Sequence, residues 1–164
     1  MRTIFAALAV LALAACGSEN AEPVAQDTTA AAANDNATQR APSGLEIIPV
    51  TVTTDEGEHT FQTEVAATPQ EQSRGMMFRT EMGADEAMIF PYDVADMRGF
   101  WMKNTLIPLD IIFIAEDRTI INIADGVPYN EESVRSEAPA IAVLELSGGR
   151  AEELGIGPGD RVEW

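Results

Sequence analysis

The chain has one cysteine and one histidine in 164 residues, and these two scarcities remove whole classes of chemistry. An ordinary structural zinc site needs four nitrogen or sulfur ligands, which Cys16 and His59 cannot supply. No HExxH or CxxC spacing occurs, so zinc and haem drop out, no metal is assigned and no cofactor is expected. A Ser-His-Asp triad would have to use His59, and no GxSxG elbow presents a serine to it. His59 therefore reads as a surface strand residue. Basic residues are also few: 10 Lys and Arg stand against 27 Asp and Glu, a net charge of −17. Nucleic acids and anionic lipid surfaces both call for a basic patch, so neither is an expected partner. The acidity itself reads as a solvated surface. Its carboxylates, as in "GADE" and "YDVAD", fall into no D-x-D-x-D-G loop that would hold calcium.

What is present begins with "MRTIFAALAVLALAAC". Arg2 is a positive n-region, Ile4 to Leu13 a short apolar h-region, and small residues precede Cys16. The run is too short to span a bilayer and reads as an export signal over residues 1–15. Leu13-Ala14-Ala15-Cys16 resembles the bacterial lipobox, in which the cysteine is acylated and becomes the mature N-terminus. Lipidation of Cys16 would leave no thiol for disulfides, thiolate catalysis or metal binding. Gly17 after it, in place of Asp, points to the outer membrane. The expected address is exported, lipid-anchored and periplasm-facing, with the membrane touched through the anchor alone.

Residues 17–44 are dominated by Ala, Asn, Thr, Asp and Gln, with Val24 as the one large apolar side chain. Such a segment cannot bury enough surface to offset its ordering entropy and is expected to be a disordered tether, with a reach on the order of 30 Å.

Residues 45–164 form one domain's worth of chain. β-Branched residues over Glu46–Thr54 and period-2 alternation over His59–Ala67 predict a hairpin, with Pro49 marking an edge or a bulge. Thr68, Pro69 and Glu71 spell a capping box and predict a helix from Pro69 to about Met76 or Met77. Further strands are expected at Glu86–Asp93, Met97–Met102, Leu109–Ala115, Thr119–Asp125 and Ala140–Leu146, with a polar loop over Gly126–Pro139. "GGRAEELG" predicts a helical turn closed by Gly155, and a last strand follows. About eight strands with two short helices predict a mainly β, β-rich α+β fold: a compact sandwich or distorted barrel.

Three blocks stand out in this order: "RGMMFR" at 74–79, "FWMKNTLIPLDIIFI" at 100–114, and "VLEL" with "GG" and "LGIGPGDRV" within 143–162. Together they resemble the bacterial and archaeal family known as domain of unknown function 192. The resemblance implies a compact β-rich fold with short helices and no established reaction. Its pattern carries over to Arg74, Gly75, Met77, Arg79, Phe100, Trp101, Met102, Lys103, Asn104, Thr105, Pro108, Asp110 and Glu145.

Met76, Met77, Met82, Met88, Met97 and Met102 crowd one region, which would suit soft copper(I), but methionine also fills irregular core gaps and the spacing matches no copper motif. The polar middle of the second block is the better site candidate, because a two-sided core strand would not normally hold Lys103 and Asn104. One reading is turn chemistry: Asn104 and Thr105 turn the chain, Lys103 snorkels, and Asp110 caps backbone amides. The other is a ligand site of Arg74, Trp101, Lys103, Asn104, Asp110 and Glu145, with Trp101 as a stacking wall. The function expected is a non-catalytic binding or accessory module for a small polar ligand or an envelope protein. The alternative is an enzyme acting on an envelope glycan or small polar metabolite, with Asp110 and Glu145 as acid and base.

Overall fold

The structure, a computed structural model, describes residues 39–164. The expected signal segment, Cys16 and most of the tether lie outside the described residues.

The first hairpin forms as β1 (Ile47–Thr54) and β2 (Gly57–Val65), turning at Asp55-Glu56. Alternation buries Val50, Val52, Phe61 and Thr63 on successive inward positions. Pro49 lies in β1 just before Thr51, where pairing with the last strand begins, so its missing N–H breaks no ladder. Gln39–Gly44, expected to belong to the tether, fold back on this hairpin instead. Ala41 N–H donates to the Leu45 carbonyl at 2.9 Å and Ile47 N–H to the Gln39 carbonyl at 2.7 Å. Ala41 is buried by the fold-back, which gives this polar stretch the apolar contact its composition hides.

Helix α1 (Pro69–Arg74) begins at the expected capping box. Glu71 N–H donates to Thr68 Oγ1, and Thr68 N–H to Glu71 Oε2. It stops two or three residues earlier than expected. Gly75 takes φ +43°, and a Cβ there would lie 3.3 Å from the Phe90 ring. The helix ends where its backbone must press against the sheet.

β3 (Glu86–Asp96) runs through Pro91, where its pairing with β8 (Ala140–Ser147) shifts register. Expected strand Met97–Met102 shrinks to β4 (Gly99–Phe100), and the expected polar loop contains its partner, β7 (Val134–Arg135). β5 (Leu109–Ile114), β6 (Ile120–Gly126), β8 (Ala140–Ser147), the four-residue α2 (Arg150–Glu153) and β9 (Arg161–Glu163) complete the chain.

Seven strands make one sheet in the order β6-β5-β8-β3-β2-β1-β9, in which only β2 and β3 pair in parallel. The two edges meet at a single bridge, Thr119 with Arg161, close to Arg118 stacked on Trp164. The sheet is therefore curled but open, not a closed barrel. Its centre is buried on both faces, which is why β5 and β8 read as nearly unbroken apolar runs. Ile112, Ile114, Leu144 and Leu146 pack inside the curl with Val50, Val52 and Phe61. Ile111, Phe113, Val143, Met88 and Phe90 face the other way, under Met76 and Met102.

Candidate functional site

The outer face of β8 would be wholly apolar at its centre but for Glu145. Its register neighbours are Met88 on β3 and Ile111 on β5. Glu145 is 5% exposed, and its Oε2 has no hydrogen-bond partner. Burial pushes its carboxyl up to about 8 against a smaller opposing pull from Arg79. The acid is thus held largely protonated at neutral pH, by the cost of placing a bare carboxylate among apolar groups.

Above it lies a cavity of about 40 Å³. Gln72, Arg74, Gly75 and Met77 line it from α1 and its exit, Phe100 from β4, and Trp101 and Thr105 from the segment after it. Residues from all three sequence blocks therefore converge on one buried acid. An open groove of about 360 Å³ adjoins this shaft, sharing Gln72, Ser73, Phe100 and Trp101 with it and adding Pro69 and Tyr92.

The backbone here is unusually constrained. Phe78, Asn104 and Tyr129 have φ of 66°, 54° and 61°. Asn accepts this region readily, whereas Phe and Tyr seldom do. Phe78 N–H donates to the Asn104 carbonyl at 2.8 Å and Tyr129 N–H to the Thr105 carbonyl at 3.1 Å. Two flanking turns thus clamp the Lys103–Thr105 segment, and Met102 N–H donates to Asn130 to close the clamp.

Of the residues singled out from the sequence, Arg74, Trp101 and Glu145 meet at the shaft. Lys103 does not line it: its Nζ lies 5.1 Å from the Trp101 ring centroid, a cation–π contact. Asn104 makes the turn, and its Nδ2 lies 4.0 Å from Met77 Sδ. Asp110 goes elsewhere. It pairs in register with Leu146, one residue on from Glu145, and so points to the opposite face of the sheet. There its two oxygens accept from Gly149 N–H at 2.8 Å and Ala151 N–H at 2.7 Å, capping α2 from a neighbouring strand. Asp110 and Glu145 cannot act on one substrate as acid and base, because a sheet separates them.

The sequence reading missed Glu64, Tyr92 and Gln72. Glu64 forms a two-point pair with Arg79, with Nη2 to Oε2 at 2.7 Å, and also accepts from Ser43 Oγ. Burial alone would raise its carboxyl, but the bonds from Arg79 and Ser43 outweigh that and hold it below the usual range. Open clefts of about 470 and 580 Å³ flank this pair. They are larger than the shaft, and at their shared wall Glu64 and Arg79 already satisfy each other. Met76, Met88 and Met102 are core residues buried to within 3%, spent on packing. Among the described residues no three His, Cys, Asp or Glu side chains gather as a metal site would require.

A curled, mostly antiparallel sheet bearing a clamped polar turn and a buried acid defines the class of domain. Residues 50–164 match the model of DUF192, whose description is Uncharacterized ACR, and the chain belongs to that family. It is similar to a crystallised protein of unknown function from Novosphingobium aromaticivorans DSM 12444. The two are 54% identical with a TM-score of 0.75, over 77% of this chain and 91% of that one. It is also similar to a protein from Sinorhizobium meliloti 1021 described as a proposed transcription regulator. That match is 38% identical with a TM-score of 0.70, over 73% of this chain and 94% of that one. No curated protein matches the chain.

Proposed function

We propose that this protein is an exported, lipid-anchored member of the family that binds a small polar ligand at the Glu145 shaft and catalyses no reaction there. One observation carries the binding reading: Glu145 is buried with an unpartnered oxygen at the floor of a cavity where the three blocks converge. A buried polar group without a partner is costly, and a site that supplies the partner from outside accounts for it. Asp110 lies on the opposite face of the sheet and Glu64, which shares Glu145's face, is held by Arg79, and this favours binding over acid–base catalysis. The regulator description stays with the Sinorhizobium protein. Residues 45–164 carry 23 Asp and Glu against 8 Lys and Arg, a net −15 that would repel a phosphate backbone.

The lipobox supports the anchor. Cys16→Ser should abolish palmitate labelling and release the domain from the membrane fraction, and persistent labelling would refute the anchor. For the site, a thermal-shift screen of polar metabolites on the wild type should give at least one stabilising ligand. Glu145→Leu should lose that shift. A shift preserved in Glu145→Leu would place binding elsewhere.

A further inference from the structure

We infer that the shaft and its adjoining groove take a neutral N-acylated sugar, its ring against Trp101 and its amide carbonyl accepting a hydrogen bond from Glu145. This rests on the binding reading above and names the ligand class of the same site.

The floor decides the polarity. A protonated carboxyl is a donor, and the partner its unsatisfied oxygen calls for is an acceptor: a carbonyl or hydroxyl oxygen. The shaft decides the size. At about 40 Å³ it admits a tip of a few heavy atoms, such as an acetamido arm, and no ring. The ring must remain in the groove, whose 360 Å³ is lined by Tyr92, Phe100 and Trp101 together with the amide of Gln72 and hydroxyl of Ser73. That mixture of flat apolar walls and a few polar groups suits a pyranose, which has an apolar face and hydroxyl edges.

The rim decides the charge. An aromatic groove above a carboxyl would otherwise suggest an ammonium ligand. Here, however, Arg98 Cζ already lies 3.6 Å from the Tyr92 centroid, and Lys103 Nζ lies 5.1 Å from that of Trp101, whose ring stays exposed. The rings' attraction for cations is taken up by the protein itself, and an incoming ammonium would meet like charges. The charged and titratable groups on Glu145's side of the sheet are Arg74 and Arg79 beyond α1, Tyr92 and Glu86 from β3, and Glu64 from β2, which Arg79 holds. Burial pushes the Tyr92 hydroxyl up, so it stays neutral where Glu145 titrates.

The test uses the full chain in detergent, titrated by calorimetry and tryptophan fluorescence with N-acetylglucosamine and its β-1,4 disaccharide. Glucose, glucosamine and glucuronate serve as comparisons. The acetamido sugars should bind at least roughly tenfold more tightly than glucose, because only they fill the shaft with an acceptor. Their affinity should fall by roughly tenfold between pH 7 and pH 9 as Glu145 loses its proton. Glu145→Gln, whose amide still donates, should keep affinity within about threefold and erase that pH dependence. Glu145→Leu should lose binding, and Trp101→Phe should remove most of the fluorescence response. Glucosamine binding more tightly as pH rises would overturn the inference in favour of a cation. Glucuronate binding best would overturn it in favour of an anion read by Arg74. No sugar binding, with Glu145-dependent binding of another polar compound, would refute the sugar and leave the site. No Glu145-dependent ligand of any kind would refute the site itself.

Discussion

Glu145 and Asp110 are both acids inside apolar runs, "AVLELS" and "LDIIFI", and nothing local distinguishes them. What separates them is the pairing of Ile111 with Glu145, which turns Asp110 to one face and Glu145 to the other. Register between strands so distant in sequence is a tertiary fact, so the sequence could name both residues but not divide them. Their energetics differ in sign. Glu145 has its folded carboxyl raised to about 8 from 4.5, so above pH 4.5 the unfolded chain ionises it and the folded chain resists. Stability is therefore lost as pH rises from about 4.5 to 8, at about 1.4 kcal/mol per unit. Glu145→Gln should remove that loss. Because the buried amide also lacks a partner at every pH, it should fall about 1–3 kcal/mol below the wild type near pH 4.5 and exceed it by roughly 2–4 kcal/mol at pH 8. Urea unfolding of both proteins across that range checks this. A wild type whose stability did not decline over the range would contradict the raised carboxyl. Asp110→Asn should instead destabilise at neutral pH, by about 1–3 kcal/mol, because one of two accepting oxygens becomes an NH₂ facing an N–H.

Helix α1 shows how far an element can be read in advance. Its N-terminus was legible because capping is local chemistry among Thr68, Pro69 and Glu71. Its C-terminus was not, because Gly75 ends it for a reason supplied by β3: the close approach of Phe90. The same division holds for β4 and β7, two residues each, too short for any periodicity and paired only once the sheet has formed. The clamped turn was legible in its residue types, Asn and Thr, but not in the distant donors Phe78 and Tyr129 that hold it. Gly75→Ala follows from this. It forces a Cβ onto a backbone at φ +43° and against an aromatic ring, and should cost about 1–2 kcal/mol. Thr68→Ala at the other end should cost about 1 kcal/mol and leave the shaft untouched. Denaturant midpoints of the two variants measure both. If Gly75→Ala proved neutral, the helix would not be seated on Phe90 as described.

At the scale of the whole domain, the apolar content announced a β-rich core, and the curl that nearly joins the two sheet edges came only with strand order. The domain's start is likewise set by contact and not by composition. Residues 39–44 look like tether, yet they contribute backbone bonds to Leu45 and Ile47, and Ser43 Oγ donates to Glu64. A chain shortened to begin at Gln39 should therefore keep the stability of the full chain, and one beginning at Leu45 should lose about 1–2 kcal/mol. For a domain of this size that lowers Tm by roughly 3–8 °C. The pH response adds an independent signature. Glu64, held below its usual range, contributes stability that is present above the unfolded value of 4.5 and lost as pH falls through the folded value. Without Ser43 that folded value moves up toward the ordinary one, so the chain beginning at Leu45 should also unfold at a higher pH on acidification. Thermal melts of both shortened chains at pH 7 and at descending pH decide the matter. Equal melting and equal acid midpoints would return residues 39–44 to the tether and place the domain's first ordered contact at Leu45.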